Sequence, residues 1–194
     1  MKKYELTTNT KMCLGRKLFQ IKALVSFGDI KAGELGGYIE KEENLSHDGN
    51  AWVSGDARVF DDARVFGDAR VSGNAWVSGD ARVSGDARVF GNARVFGDAR
   101  VFGDVIICND AHVCDEAQIS SDADYICFKG FGSKNRNTTM FRTKNGDVFV
   151  CCGCFSGSLK EFVEKVKETH GSSKYAKECL ACVEVAKIHF EIDE

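Results

Sequence analysis

The chain has 194 residues and a formal net charge of −3, which leaves room for one large domain or two small ones and disfavours a general nucleic-acid binder. The sequence holds no apolar run long enough to cross a membrane, and we expect no signal peptide because the opening residues lack an apolar segment. Nine cysteines in such a chain indicate reduced thiols in a cytoplasm rather than a disulfide framework.

Residues 1–50 are predicted to form an N-terminal β cap. Residues 4–8 and 18–25 have the apolar content of strands, and the second segment alternates apolar and polar side chains. A cap is needed beside a stack of strands, because an open end would expose unpaired backbone groups to edge-to-edge association.

Residues 51–123 repeat with a period of six that does not slip. Val or Ile occupies every sixth position from Val53 to Ile119, twelve positions in all, and Asp, Asn or Glu follows three residues after each. This spacing predicts short strands with an inward central side chain, joined by corners of Gly and Asp or Asn, which tolerate positive φ. Three strands close one coil, so twelve hexads predict four coils and a prism about 19 Å tall.

The repeat resembles the hexapeptide-repeat, left-handed parallel β-helix family, and its Ala-Arg-Val-Phe-Gly-Asp units carry the likeness. The left hand follows from this resemblance, because the rule for ordinary crossovers favours the right hand. Proteins of this family are commonly trimers, so the resemblance implies a homotrimer or a multiple of it.

Aromatic side chains on the outer faces point to an oligomer interface. Phe90, Phe96 and Phe102 occupy the third predicted coil, one on each face, and Trp76 replaces an Arg of the repeat. A monomer should not leave this much aromatic surface in water, so we predict that these four residues contact other subunits.

Residues 124–194 follow a different pattern and are predicted to form a small ββαα unit. Residues 138–143 and 148–152 predict a hairpin, and two helices are predicted over 159–169 and 174–190. The predicted fold is therefore mainly β, a left-handed parallel β-helix with an N-terminal β cap and this C-terminal α+β unit. A unit so small should dock on the prism or on a neighbouring subunit.

A loop in the C-terminal unit is the candidate ligand site. Its hydroxyl and cationic groups suit a phosphate or a nucleotide-like anion, and Phe128 and Phe131 could stack on a base. A solvated basic linker would have the same composition. The predicted ligand contacts are Ser133, Lys134, Arg136, Thr138 and Thr139.

Two other groups of residues are weaker candidates for a functional site. Many hexapeptide-repeat enzymes transfer acyl groups from acyl-CoA with a histidine base, and His112 is the one histidine of the repeat. A surface histidine in place of the usual Arg is the favoured interpretation. The spacing of Cys151, Cys152 and Cys154 is not that of metal ligands, so we interpret them as thiols buried in a strand. The alternative is that Cys154 is a nucleophile near His170. We expect no metal and no cofactor.

The chain is also similar to phage and prophage hexapeptide-repeat proteins. The resembling residues are the GGYIEKEENLS segment, Gly132-Ser133, Arg136, Thr138-Thr139, Cys152-Gly153-Cys154-Phe155 and His170-Gly171. This resemblance implies a phage accessory protein in the bacterial host cytoplasm, where blocking host defence is a common role. The leading hypothesis is a non-enzymatic oligomer that sequesters a nucleotide-derived defence signal. An acyltransferase and a protein-binding inhibitor of a host defence factor are the alternatives.

Overall fold

Three parallel sheets form the walls of a prism in the computed structural model, which describes residues 1–192. Each wall takes every third strand along the chain, as a coil of three short strands requires. The first wall contains β3 (Leu35–Ile39), β5 (Arg58–Val59), β8 (Trp76–Val77), β11 (Arg94–Val95) and β14 (His112–Val113). The second contains β6 (Arg64–Val65), β9 (Arg82–Val83), β12 (Arg100–Val101) and β15 (Gln118–Ile119); the third contains β4 (Trp52–Val53), β7 (Arg70–Val71), β10 (Arg88–Val89) and β13 (Ile106–Ile107).

The prism has about five turns rather than the four predicted from the repeat. Ile39 pairs in parallel with Val59, and Leu45 forms a parallel bridge to Val65, so both residues lie beneath the first repeat positions of their walls. Two strand positions of the lowest coil therefore come from residues before 51, which lack the repeat's sequence but keep its inward apolar side chain, and β4 of the repeat supplies the third.

The interior of the prism is dry and closely packed. Every Val and Ile of the twelve predicted inward positions has 0% exposure, and the small corner Ala residues are buried with them. Glycines stack at the corners, where Gly85 has φ +68 and a Cβ on it would lie 2.7 Å from the backbone nitrogen of Gly103. The six-residue period therefore reflects both apolar filling and corners that leave no space for a side chain.

The lower end of the prism is closed by the N-terminal segment, as predicted. The strands β1 (Tyr4–Cys13) and β2 (Arg16–Ala23) form an antiparallel hairpin, and β2 pairs with β3 to continue the first wall. The Lys3 ammonium donates to the carbonyl of Ala51 (2.9 Å) beneath the third wall. The Tyr4 hydroxyl donates to the carbonyl of Leu45 (2.8 Å) beneath the second. Backbone groups that have no lower strand thus find side-chain partners.

The upper end is closed by acceptors and by the C-terminal unit. Asp122 Oδ1 accepts from the N–H of Ile106 (2.9 Å), and Asp124 Oδ2 accepts from the N–H of Ser120 (2.8 Å). On the first wall, Thr139 Oγ1 accepts from the N–H of His112 (3.0 Å). The bond between Thr139 and His112 docks the C-terminal unit on the prism of its own chain.

The C-terminal unit has four strands, two more than predicted, followed by two helices. Its antiparallel sheet has the order β16 (Tyr125–Phe131), β17 (Arg136–Arg142), β18 (Val148–Cys152) and β19 (Phe155–Ser158). The helices are α1 (Leu159–His170) and α2 (Lys174–His189), close to the predicted bounds. Ser158 and Glu161 form a capping box at the start of α1, with the Ser158 N–H donating to the carboxylate at 2.8 Å.

The sheet of this unit separates two cores. Phe141 and Cys151 face the prism, whereas Met140 and Val150 face α1 and α2, because neighbouring residues of a strand point to opposite sides. Within residues 1–192, no helix is long and apolar enough to cross a membrane.

Candidate functional site

A cavity of about 450 Å³ opens between the sheet and α1 of the C-terminal unit; we call it the C-terminal cavity. Its rim contains Ser133, Lys134 and Arg136, three of the five residues predicted to bind a ligand. Phe131 and Phe155 supply aromatic walls from the ends of β16 and β19. The cavity is thus partly apolar and partly polar, as small-molecule sites are.

The charged residues that line the C-terminal cavity have one sign. Lys134, Arg136 and Lys165 line it, and none of the residues that line it is acidic. Lys165 forms an exposed ion pair with Glu168 at 2.8 Å, outside the cavity. Within residues 1–192, no carboxylate lies within ion-pairing distance of Arg136. The cavity therefore presents cations that are available to an anion.

The position of Arg136 depends on a glycine opposite it. Gly153 lies in the turn after β18 with φ +64, and a Cβ on it would lie 2.7 Å from Cδ of Arg136. On the other side of the loop, Glu178 of α2 accepts a hydrogen bond from the N–H of Gly132 (3.2 Å). Gly153 thus leaves space for the Arg136 side chain, and Glu178 fixes the backbone of the cationic loop at Gly132.

Thr138 and Thr139 do not line the C-terminal cavity, so the predicted set of five ligand contacts is divided. Both are buried in β17, at 4% and 1% exposure. The Thr138 hydroxyl donates to the sulfur of Cys152 (3.1 Å), and Thr139 closes the top of the first wall through its bond with His112. Successive strand residues point to opposite faces, and the loop ends before either residue.

His112 lies in the top strand of the first wall, beneath the C-terminal sheet. Its register partner one coil below is Arg94. Burial lowers the pKa of the His112 imidazole, repulsion by Arg94 lowers it further, and Asp110 opposes both effects. Its side chain is half-buried, and it does not line the C-terminal cavity.

The four residues predicted at the oligomer interface lie on the outer walls. Phe90 and Phe96 are 39% and 37% exposed, on the third and first walls, and Phe102 is half-buried on the second. Trp76 is half-buried, and its ring lies between the guanidinium carbons of Arg58 (5.0 Å) and Arg94 (4.8 Å). Part of the ring is thus shielded from solvent by arginines of the same chain.

The sequence did not indicate which thiols share the C-terminal cavity. Cys152 and Cys154 line it together with Cys179 of α2, which comes from a distant part of the sequence. Cys114, at the top of the prism, and Cys151 of β18 lie with their sulfur atoms in contact, and the other seven cysteines are free thiols. Within residues 1–192, no group of three or more His, Cys, Asp or Glu side chains is placed to hold a metal ion.

The repeats also match a family model, described as the YdcK beta solenoid repeat, over residues 63–79, 81–95 and 93–109. The chain carries a β-solenoid repeat. These segments lie in the prism, so the match supports a β-helix repeat protein, and the C-terminal unit with its cavity lies outside the matched part of the β-solenoid. No curated protein matches the chain.

Proposed function

We propose that this β-solenoid protein is a non-enzymatic, oligomeric binding protein whose C-terminal cavity takes a nucleotide-like anion. The observation that carries the proposal is the convergence of Lys134, Arg136 and Lys165 on one cavity whose lining residues include no acid. Charge-assisted hydrogen bonds are the strong ones, and an Arg can bind two oxygens of a phosphate at once.

The shape of the cavity supports a ligand that has an aromatic part beside its anionic part. Phe131 and Phe155 are half-buried and line the cavity, and Phe131 contacts Phe128 edge-to-face at 5.9 Å between ring centroids. A ring stacked on such a side chain would be recognised largely by shape, while the cations would hold the phosphate. The volume of about 450 Å³ falls in the range of small-ligand sites.

The biological role we propose is counter-defence of phage type, in which the protein sequesters a nucleotide-derived signal in a bacterial cytoplasm. Sequestration needs affinity and no reaction, so a cavity with cations and aromatic walls suffices. We further propose a homotrimer, or a multiple of it, formed through the aromatic residues of the outer walls. Phe90 and Phe96 support this assembly because a single chain leaves more than a third of each side chain exposed.

The test is calorimetric titration of the purified oligomer with inorganic phosphate, mononucleotides and cyclic dinucleotides, with recovery of the ligand afterwards. Arg136→Ala should weaken binding of the best ligand about 10- to 100-fold, the effect of one hydrogen bond to a charged group. Lys129→Ala is the matched control, since Lys129 belongs to the same basic segment, pairs with Asp110 at 3.1 Å and does not line the cavity.

Three outcomes would contradict the proposal. The site is wrong if Arg136→Ala and Lys129→Ala bind the ligand equally well. The non-enzymatic part is wrong if the recovered ligand is altered. Native mass spectrometry of a ligand-free oligomer bound to a host protein would instead favour the protein-binding inhibitor.

A further inference from the structure

A short turn places two thiols at the C-terminal cavity. Cys152 is the last residue of β18, Gly153 turns the chain with φ +64, and Cys154 precedes β19. Both cysteines line the cavity, so they lie two residues apart and face the same space. Cys179 of α2 is a third thiol at this cavity.

The three thiols differ in their access to solvent. Cys154 is exposed, Cys152 is half-buried and accepts the Thr138 hydroxyl at 3.1 Å, and Cys179 is buried. Burial raises the pKa of the Cys179 thiol, which keeps it protonated and unreactive. An incoming reagent therefore meets Cys154 first and has Cys152 beside it.

The remaining groups of the cavity suit a reaction of Cys154 with an anionic partner. Lys134, Arg136 and Lys165 line the cavity and attract negative charge. His170, at the end of α1, lines the same cavity. Thiol, imidazole and cations are thus brought together by segments that are separate in the sequence.

We propose that the Cys152-Gly153-Cys154 turn is a redox-active dithiol that exchanges with small disulfides carrying carboxylates. Cys154 gives up its proton to water, and its thiolate attacks one sulfur of the disulfide. The disulfide's S–S bond breaks, and its other half leaves as a thiolate that takes up the proton. Cys152 then attacks the mixed disulfide, a Cys152–Cys154 bond forms, and the second half leaves as a thiol. The dithiol is oxidised by two electrons, and the disulfide is reduced to two thiols.

The experiment compares oxidised glutathione, a disulfide with negative charge, with cystamine, a disulfide with positive charge. The full-length protein is incubated with each reagent, the remaining thiols are alkylated, and intact mass and peptide mapping locate the products. We expect oxidised glutathione to react at Cys154 at least about tenfold faster than cystamine at low salt, because a cationic cleft concentrates anions. High salt and the Lys134→Ala/Arg136→Ala variant should both remove this preference.

Single cysteine variants separate the two roles. Cys152→Ser should accumulate the glutathione adduct on Cys154, because the resolving thiol is gone, and Cys154→Ser should give neither adduct nor Cys152 disulfide. Cys108→Ser is the control, since Cys108 is a half-buried thiol outside the cavity and its loss should change nothing.

Three results would overturn the proposal. The first is that Cys152 is oxidised at the wild-type rate in Cys154→Ser. The second is that Cys152→Ser carries no more glutathione adduct on Cys154 than the wild type does. The third is that oxidised glutathione and cystamine react at equal rates at low salt. The proposal does not depend on nucleotide binding, which the calorimetric titration tests separately.

Discussion

Thr139→Val is the substitution that best separates the cap of the prism from the ligand site. Thr139 is 1% exposed, and its Oγ1 accepts from the N–H of His112 at 3.0 Å, in the top strand of the first wall. Valine has nearly the same shape but has no acceptor, so the N–H of His112 would stay buried without a partner.

The expected loss of stability follows chiefly from that lost acceptor, because the other bond of the hydroxyl, to the sulfur of Cys127, is long at 3.7 Å. A buried donor without a partner costs about 1–3 kcal/mol of unfolding free energy. For a chain of this size each kcal/mol lowers the melting temperature by about 2–4 °C, so Thr139→Val should melt about 2–12 °C below the wild type. Its affinity for the ligand of the C-terminal cavity should be unchanged.

The assay is thermal and denaturant unfolding followed by circular dichroism, together with the calorimetric titration. Thr8→Val is the matched control because Thr8 is exposed in β1, and its replacement should change stability by less than about 0.5 kcal/mol. The cap interpretation fails if Thr139→Val is as stable as Thr8→Val. If Thr139→Val has normal stability but no longer binds the ligand, Thr139 is a ligand contact, as the sequence predicted.

Three further predictions concern the site and the walls. Gly153→Ala should displace the Arg136 side chain and reduce ligand affinity in calorimetry, because the new methyl group would occupy the space beside it. Full affinity in a folded variant would contradict this. Arg94→Met should raise the pKa of His112, measured by NMR titration, because a repelling charge is removed; a pKa that stays or falls would contradict this. Phe96→Asp should shift the oligomer to a smaller species in light scattering, and an unchanged mass would exclude Phe96 from the interface.

The prism was predictable because the residues that form each short strand and corner are also the residues that fill the shared interior. Each hexad places one Val or Ile inward and one Gly or Asp corner outward, and every coil repeats this, so the period alone indicates the walls. The extra lower coil was harder to see, since only Ile39 and Leu45 continue the inward positions and two added residues before Val53 break the spacing.

The C-terminal unit was less predictable, because its features depend on contacts between distant segments. β19 has the sequence Phe-Ser-Gly-Ser, which reads as a turn and becomes a strand only by pairing with β18. The basic loop with Arg136 was visible from composition. By contrast, the burial of Thr139 depends on docking against the prism, and the position of Cys179 depends on how α2 packs.

The side-chain closures at both ends of the prism have a consequence for the length of the molecule. Lys3 and Tyr4 satisfy the lowest coil and Asp122 and Thr139 satisfy the uppermost, and none of these contacts involves the coils between them. A whole coil can therefore be inserted or removed without altering either closure. The prism is a spacer of adjustable length, in which each added coil moves the C-terminal cavity about 4.8 Å further from the N-terminal hairpin.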